Sequence, residues 1–310
     1  MRPPPPAAVA RFRRDLEALA GGDPGPVGVA VSGGPDSLAL LLLAQAAFPG
    51  RVHAATVDHG LRAEAAGEAA FVAGLCAGLA VPHATLEAGM TDQANLQAAA
   101  RERRYALLTH WAAGIGASCL LTAHHLDDQA ETLVMRLLRG SGLSGLAGIR
   151  AVNAAAVPIA RPLLDWRRAE LAAIVAAAGI AAVADPSNQD ERFDRARIRR
   201  WLAQADWLDP VPIARSAGAL AQAEEALEWA VERLQRERVD GLALDPSGLP
   251  REFRRRLVLR MLAAMGAAEP RGEAVTRLLA TLEQGGTATL AGVKCSGGAV
   301  WRFAPAPPRR

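Results

Sequence analysis

Six residues, Ser32-Gly33-Gly34-Pro35-Asp36-Ser37, stand between two apolar runs, 27–31 and 38–47. A short apolar run, a glycine pair and a longer apolar run read as a strand, a tight turn and a helix. Gly33 and Gly34 let the backbone turn sharply and approach a ligand without a Cβ in the way. Ser32, Ser37 and the backbone N–H groups at the helix start then face an anion such as phosphate. The turn lacks the Gly-Lys-Ser/Thr of a Walker A loop, and it is not the Gly-x-Gly-x-x-Gly dinucleotide turn. Asp36 sits inside it. A carboxylate beside phosphates makes sense when a divalent cation lies between them, which points to Mg²⁺ on Asp36.

The same alternation continues along the chain. Strands are predicted at 27–31, 53–57, 83–87, 119–123 and 157–159, with helices at 36–47, 65–79, 93–113, 127–138 and 166–178. Such alternation specifies an α/β fold, a parallel five-stranded sheet with helices on both faces. Ligands of these folds bind at the carboxyl ends of the strands. From about residue 206 the pattern changes. Pro210 and Pro212 punctuate the chain, and helical patterns follow at 215–238, 251–265 and 272–283. A terminal hairpin is expected from 287–294 and 299–303 around Ser296-Gly297-Gly298. The expected division is a nucleotide-binding catalytic domain at 1–210 and a smaller, mainly helical domain at 211–310. A chain of 310 residues with 51% hydrophobic residues can furnish two cores.

Charge and cysteine usage narrow the classes. Arginine so dominates that Lys294 is the only lysine. A net charge of +3 is compatible with nucleic acid without requiring it. Cys76, Cys119 and Cys295 form no Cys-x-x-Cys pair, which argues against a disulfide framework, a zinc site or an iron–sulfur cluster. No stretch approaches the apolar length of a membrane helix, and the N-terminus lacks the core of a signal peptide. The expectation is a cytoplasmic protein that does not engage a membrane.

Four further segments carry candidate chemistry. Asp58-His59-Gly60 ends the second strand, where Asp58 is placed to accept from an adenine or ribose and His59 to orient a phosphate; a turn-initiating role fits the spacing equally well. His124-His125-Leu126-Asp127-Asp128-Gln129-Ala130-Glu131-Thr132 follows the fourth strand. Asp128 and Glu131 share a helix face that can hold Mg²⁺ opposite Asp36, while capping of the helix start explains the acids as well. Arg101 and Arg104 lie one turn apart, with Tyr105 beside Arg101, as a phosphate fork or as a solvated face. In 185–200 an acidic turn leads into a basic helix, whose Arg195, Arg197 and Arg199 suit RNA contact, a lid or a plain surface. The arginines at 251–260 are open to the same alternatives.

Together these segments resemble the tRNA(Ile)-lysidine synthases, a family within the N-type ATP pyrophosphatases, or PP-loop enzymes. The likeness rests on Ser32–Ser37, Asp58–Arg62, Asn95–Tyr105, His124–Ser141, Arg161-Pro162-Leu163-Leu164 and Asp185–Arg199, in order across 27–200. The resemblance implies an ATP-dependent ligase. It would join L-lysine to C2 of the wobble cytidine of a tRNA(Ile) with a CAU anticodon, through an adenylated cytidine, releasing pyrophosphate and AMP. It implies ATP and Mg²⁺ as cofactors, with Ser32, Gly33, Gly34, Pro35, Asp36, Ser37, Asp58, His59 and Arg101 binding nucleotide. Asp36 and Asp128 would hold metal, and Asp36, Arg101, His124, Asp128, Glu131, Arg195 and Arg197 would serve the reaction. The domain at 211–310 would bind tRNA, and a homodimer is compatible with the family. One departure is visible: Ala196 stands where the family usually carries Asn between two arginines. A PP-loop tRNA thiolase and a non-enzymatic ATP-binding module remain as alternatives.

Overall fold

The computed structural model describes residues 1–58, 64–89, 96–153, 155–183, 194–205, 207–268, 270 and 272–307. His59 and the acidic half of the 185–200 segment lie outside the described residues. The chain forms two compact units, Met1–Ala221 and Gln222–Arg310.

The first unit opens with α1 (Pro6–Ala20), followed by β1 (Val27–Ala30), α2 (Pro35–Ala47), β2 (Val52–Asp58), α3 (Glu64–Gly78), β3 (His83–Glu87), α4 (Leu96–Gly114) and β4 (Cys119–Leu121). Then come α5 (Leu126–Leu138), α6 (Leu143–Leu146), β5 (Val152–Asn153), β6 (Ile159–Ala160), α7 (Arg168–Ala177) and α8 (Asp194–Gln204). The sheet order is β3-β2-β1-β4-β6-β5. The five expected strands are parallel, with Ala30 opposite Ala55, Val29 opposite Leu121 and Leu121 opposite Ala160. A sixth, β5, pairs antiparallel at the edge. Two residues in an Ala-rich stretch leave no alternation to read, so sequence alone does not announce it.

The strand order fixes the site. From β1 the chain runs outward to β2 and β3, then returns to the other side of β1 for β4 and β6. The reversal opens a crevice at the carboxyl ends of β1 and β4, where such sheets bind ligands. Helix α2, packed between α1, α7 and the sheet, is apolar on every side, with Leu38 to Ala44 all buried. A helix without a polar face cannot shift toward solvent, so the turn at its N-terminus is held rigidly. Close approach adds to this. A Cβ on Gly28 in β1 would lie 2.9 Å from the Trp111 ring of α4.

The second unit holds the remainder of α9 (Pro210–Arg238), β7 (Val239–Asp240), β8 (Ala243–Leu244), α10 (Arg251–Ala264), α11 (Gly272–Glu283), β9 (Thr287–Leu290), β10 (Val293–Ser296) and β11 (Trp301–Pro305). Its sheet, β7-β8-β11-β10-β9, is antiparallel throughout. The segment expected as one hairpin arm, 287–294, is instead two strands joined at Ala291-Gly292. Both turn residues have positive φ, 48° and 81°, the geometry of a two-residue hairpin turn. Alanine at the first position hides that turn. Helix α9 also starts earlier than expected, at Pro210. The first turn of a helix has no intrahelical use for its N–H groups, so Pro210 and Pro212 fit there rather than breaking it.

Candidate active site

The turn after β1 is held by its own hydroxyls. Ser37 Oγ donates to the Gly34 carbonyl at 2.9 Å, accepts from the Ser32 N–H at 3.1 Å, and lies 3.2 Å from Ser32 Oγ. Gly33 has φ +84°, and a Cβ there would press on Val183 at 3.3 Å and Val72 at 3.5 Å. Gly34 is the N-cap and Pro35 the first residue of α2, where its fixed φ is preorganised for the helix. The free N–H groups of that helix start and the two serines form an anion cradle.

Asp36 projects from the first turn of α2. Its Oδ1 is buried and has no hydrogen-bond partner among the described residues. Its Oδ2 lies 3.5 Å from His125 Nε2. An unpartnered carboxylate oxygen beside a phosphate cradle suits a hard divalent cation whose other ligands are phosphate oxygens and water. Among the described residues no cluster of three His, Cys, Asp or Glu side chains is arranged as a metal cage.

His125, which the sequence reading does not single out, is the pivot, while His124 is the histidine expected to serve the reaction. His125 is 1% exposed and is the N-cap of α5. Its N–H donates to Asp128 Oδ2 at 3.1 Å, and the Asp128 N–H approaches its Nδ1 at 3.4 Å, a reciprocal capping box. Burial alone would lower the imidazole's pKa. Asp36, Asp128 and Asp127 more than offset that, and hold it above the usual histidine range. His125 thus links the cradle, through Asp36, to the start of α5. His124 faces the other way, with Nδ1 3.1 Å from Thr122 Oγ1. Burial, reinforced by Arg161, Arg101, Arg195 and Arg104, pushes it down to about 2. A histidine so disfavoured as a cation is a poor proton acceptor in this state.

The acidic face of α5 is closed by α8. Arg195 Nη2 donates to Asp128 Oδ1 at 2.8 Å and its Nε to Glu131 Oε2 at 3.0 Å. Arg199 Nε donates to Glu131 Oε1 at 2.6 Å and its Nη2 to Oε2 at 3.1 Å. Asp128 and Glu131 therefore face arginines in this state, and Arg195 is committed to them. Arg197 points outward and pairs with Asp194, which also takes Arg139. Arg101 is exposed, with its guanidinium over the Tyr105 ring. Asp58 ends β2 one strand from the cradle, half-buried.

Other motif residues act on the scaffold. Gln129 exchanges two 2.7 Å hydrogen bonds with the backbone of Ile149. Arg136 donates to the carbonyls of Gly145 and Gly148. Asp127 accepts from the Arg168 N–H at 2.8 Å and so caps α7. In the second unit the arginines of α10 are also spent internally. Arg256, 5% exposed, pairs with Glu224 at 2.6 Å, Glu252 at 2.8 Å and Glu228, while Arg260 takes Glu228 at 2.6 Å. Arg251 and Arg254 face Glu283, and Arg255 faces Glu252.

A nucleotide crevice of this topology, entered by a Ser-Gly-Gly-Pro-Asp-Ser turn, defines a PP-loop protein, and the PP-loop domain profile matches residues 10–206. The chain is 51% identical to the tRNA(Ile)-lysidine synthase of Novosphingobium aromaticivorans over 98% of its own length and 95% of that protein's. It is 48% identical to that of Zymomonas mobilis, over 92% and 90%. The chain belongs to the tRNA(Ile)-lysidine synthase family. Among solved structures, the U34-tRNA thiolase NcsA of Methanococcus maripaludis shares the fold, with a TM-score of 0.58 and 15% identity over 69% of this chain and 79% of that one.

Proposed function

We propose that this protein ligates L-lysine to C2 of the wobble cytidine of a tRNA(Ile) bearing a CAU anticodon, at the expense of ATP. The observation that carries this reading is the near full-length identity to tRNA(Ile)-lysidine synthases. The geometry supports it. The reaction first attaches AMP to the cytidine C2 oxygen and expels pyrophosphate; the lysine ε-amine then attacks C2 and AMP leaves. Adenylation needs positioned phosphates and cancelled charge more than covalent help from protein.

The Ser32–Ser37 cradle holds the pyrophosphate portion of ATP. Asp36, through its unpartnered Oδ1, is the residue that would hold Mg²⁺, and the ion would supply charge neutralisation for the leaving pyrophosphate. His125 keeps Asp36 in place and brings α5 to the same crevice. Asp58 lies on the side where a ribose or adenine extends along the sheet. Asp128 and Glu131 are the carboxylates able to receive the lysine ammonium. For that, Arg195 and Arg199 must release them in part, which makes α8 the element that responds to substrate. Arg101 and Arg197, exposed and cationic, contact the RNA. The second unit adds tRNA-binding surface, with the cytoplasm as the place of work.

The test is AMP release from Mg·ATP by purified protein with a CAU transcript, with and without lysine. AMP formation that needs both the transcript and lysine supports the reading. AMP formation that needs sulfide instead of lysine would move it to a thiolase, and none with folded protein would favour a binding module.

A further inference from the structure

One motif is left without a task by this reading, Arg161-Pro162-Leu163-Leu164. Arg161 directly follows β6, the strand beside β4, and is 4% exposed. Its Nη1 donates to the Arg150 carbonyl at 2.7 Å, which fixes the guanidinium, but its Nε has no partner among the described residues. Tyr105 of α4 lies alongside. The Arg101 and Arg104 guanidinium carbons each sit 5.3 Å from its ring centroid. The Arg104 Nε is likewise buried without a hydrogen-bond partner among the described residues, and the buried Tyr105 hydroxyl lies beside the Arg161 guanidinium. No described carboxylate forms an ion pair with Arg101, Arg104 or Arg161.

Two buried arginine donors without acceptors, beside a phenol that the Arg161 guanidinium approaches and where cations outnumber anions, are costly unless something negative completes them. The neighbouring groups register the same field. Burial would raise the Tyr105 phenol, yet Arg101, Arg104 and Arg161 hold it below its ordinary value. The neutral His124 adds no compensating charge.

We propose that Arg104, Tyr105 and Arg161 form an anion-binding basket that holds an oxyanion of the acceptor substrates, separate from the pyrophosphate cradle. In the sheet order β1-β4-β6 the basket's strand lies two strand spacings from the cradle's, about 10 Å, too far for the same phosphate. Arg161 and Arg104 present planar donors suited to a carboxylate or a phosphate. Two sources share this chemistry, the α-carboxylate of the amino acid and a phosphodiester flanking the target nucleotide. Naming those sources rests on the lysidine reading; the basket itself does not.

The test uses the full chain and the variants Arg161→Gln, Arg161→Lys and Arg104→Gln, each checked for native melting. Sulfate is titrated while the His124 imidazole is followed by NMR, assigned with His124→Gln. The wild type is expected to show a saturable shift that weakens roughly tenfold or more in both Gln variants and partly returns in Arg161→Lys. Turnover is then measured with lysine and with lysinamide, which lacks the carboxylate. Loss of the wild type's preference for lysine in the Gln variants assigns the basket to the α-carboxylate. An intact preference, with KM for tRNA raised and its salt slope reduced by about one, assigns it to a phosphodiester. A sulfate response unchanged in both Gln variants, or absent from the wild type, overturns the basket. If the wild type makes no lysidine, the functional reading fails while the sulfate titration still decides the site.

Discussion

Replacing Arg199 by methionine tests whether α8 is held to α5 by charge. Glu131 is 3% exposed, and Arg199 supplies the sole described donor to its Oε1, at 2.6 Å. The variant keeps Arg195 on Oε2, so one oxygen of a buried carboxylate loses its partner. A hydrogen bond to a charged group contributes about 1.5–3 kcal/mol, and breaking a fully buried pair costs about 3–5 kcal/mol. Arg199 retains some solvent contact and Arg195 remains, so the expected loss is about 2–3 kcal/mol, read from urea unfolding at pH 7. The double variant with Glu131→Met removes the stranded charge and should recover more than half of it. Burial would raise the Glu131 carboxyl, but Arg199 and Arg195 hold it below its ordinary value. Its stabilisation is therefore present above the ordinary glutamate range and is lost as pH falls through the depressed pKa. The gap between wild type and Arg199→Met should close in acid. A loss under about 0.5 kcal/mol at pH 7, or strictly additive single and double variants, would refute the argument.

Gly33→Ala forces an L-residue into φ +84° against Val183, so it should cost about 1–2 kcal/mol and weaken ATP binding, measured by calorimetry. His124, pushed to about 2, stays neutral in the fold while the unfolded chain takes up a proton below about pH 6.5. That group therefore removes stability as pH falls, by about 1–2 kcal/mol at pH 5, and His124→Gln should flatten this part of the stability–pH curve. Arg256→Met strands Glu224, itself 3% exposed, and should lower the stability of the second unit by about 3 kcal/mol in thermal unfolding.

The parallel sheet was legible because its strands are short apolar runs separated by helix-length patterns, and the cradle because its turn chemistry is local. What stayed hidden depends on contacts distant in sequence. Nothing near His125 announces that it, rather than His124, faces Asp36, because the choice is made by the pleat of β4 and the start of α5. The basic helix reads equally as an RNA contact, a lid or a plain surface until α8 packs on α5 and Arg195 and Arg199 meet Glu131, more than 60 positions away. The α10 arginines read the same way until α9 supplies Glu224 and Glu228. Asp127 and Asp128 fit helix capping as well as metal binding; in the fold Asp127 caps α7 and Asp128 completes the His125 box. Arg161 could be found in sequence as an arginine just past a strand end, but its missing partners appear only in three dimensions.

The central claim is the product. Nucleosides from a CAU transcript incubated with the protein, Mg·ATP and isotopically labelled lysine should yield, by mass spectrometry, a cytidine carrying the lysine mass and label. That nucleoside should be lost with a UAU transcript and with Asp36→Asn. An unmodified wobble cytidine under conditions where the folded wild type binds ATP, or lysine attached elsewhere in the transcript, would contradict the account.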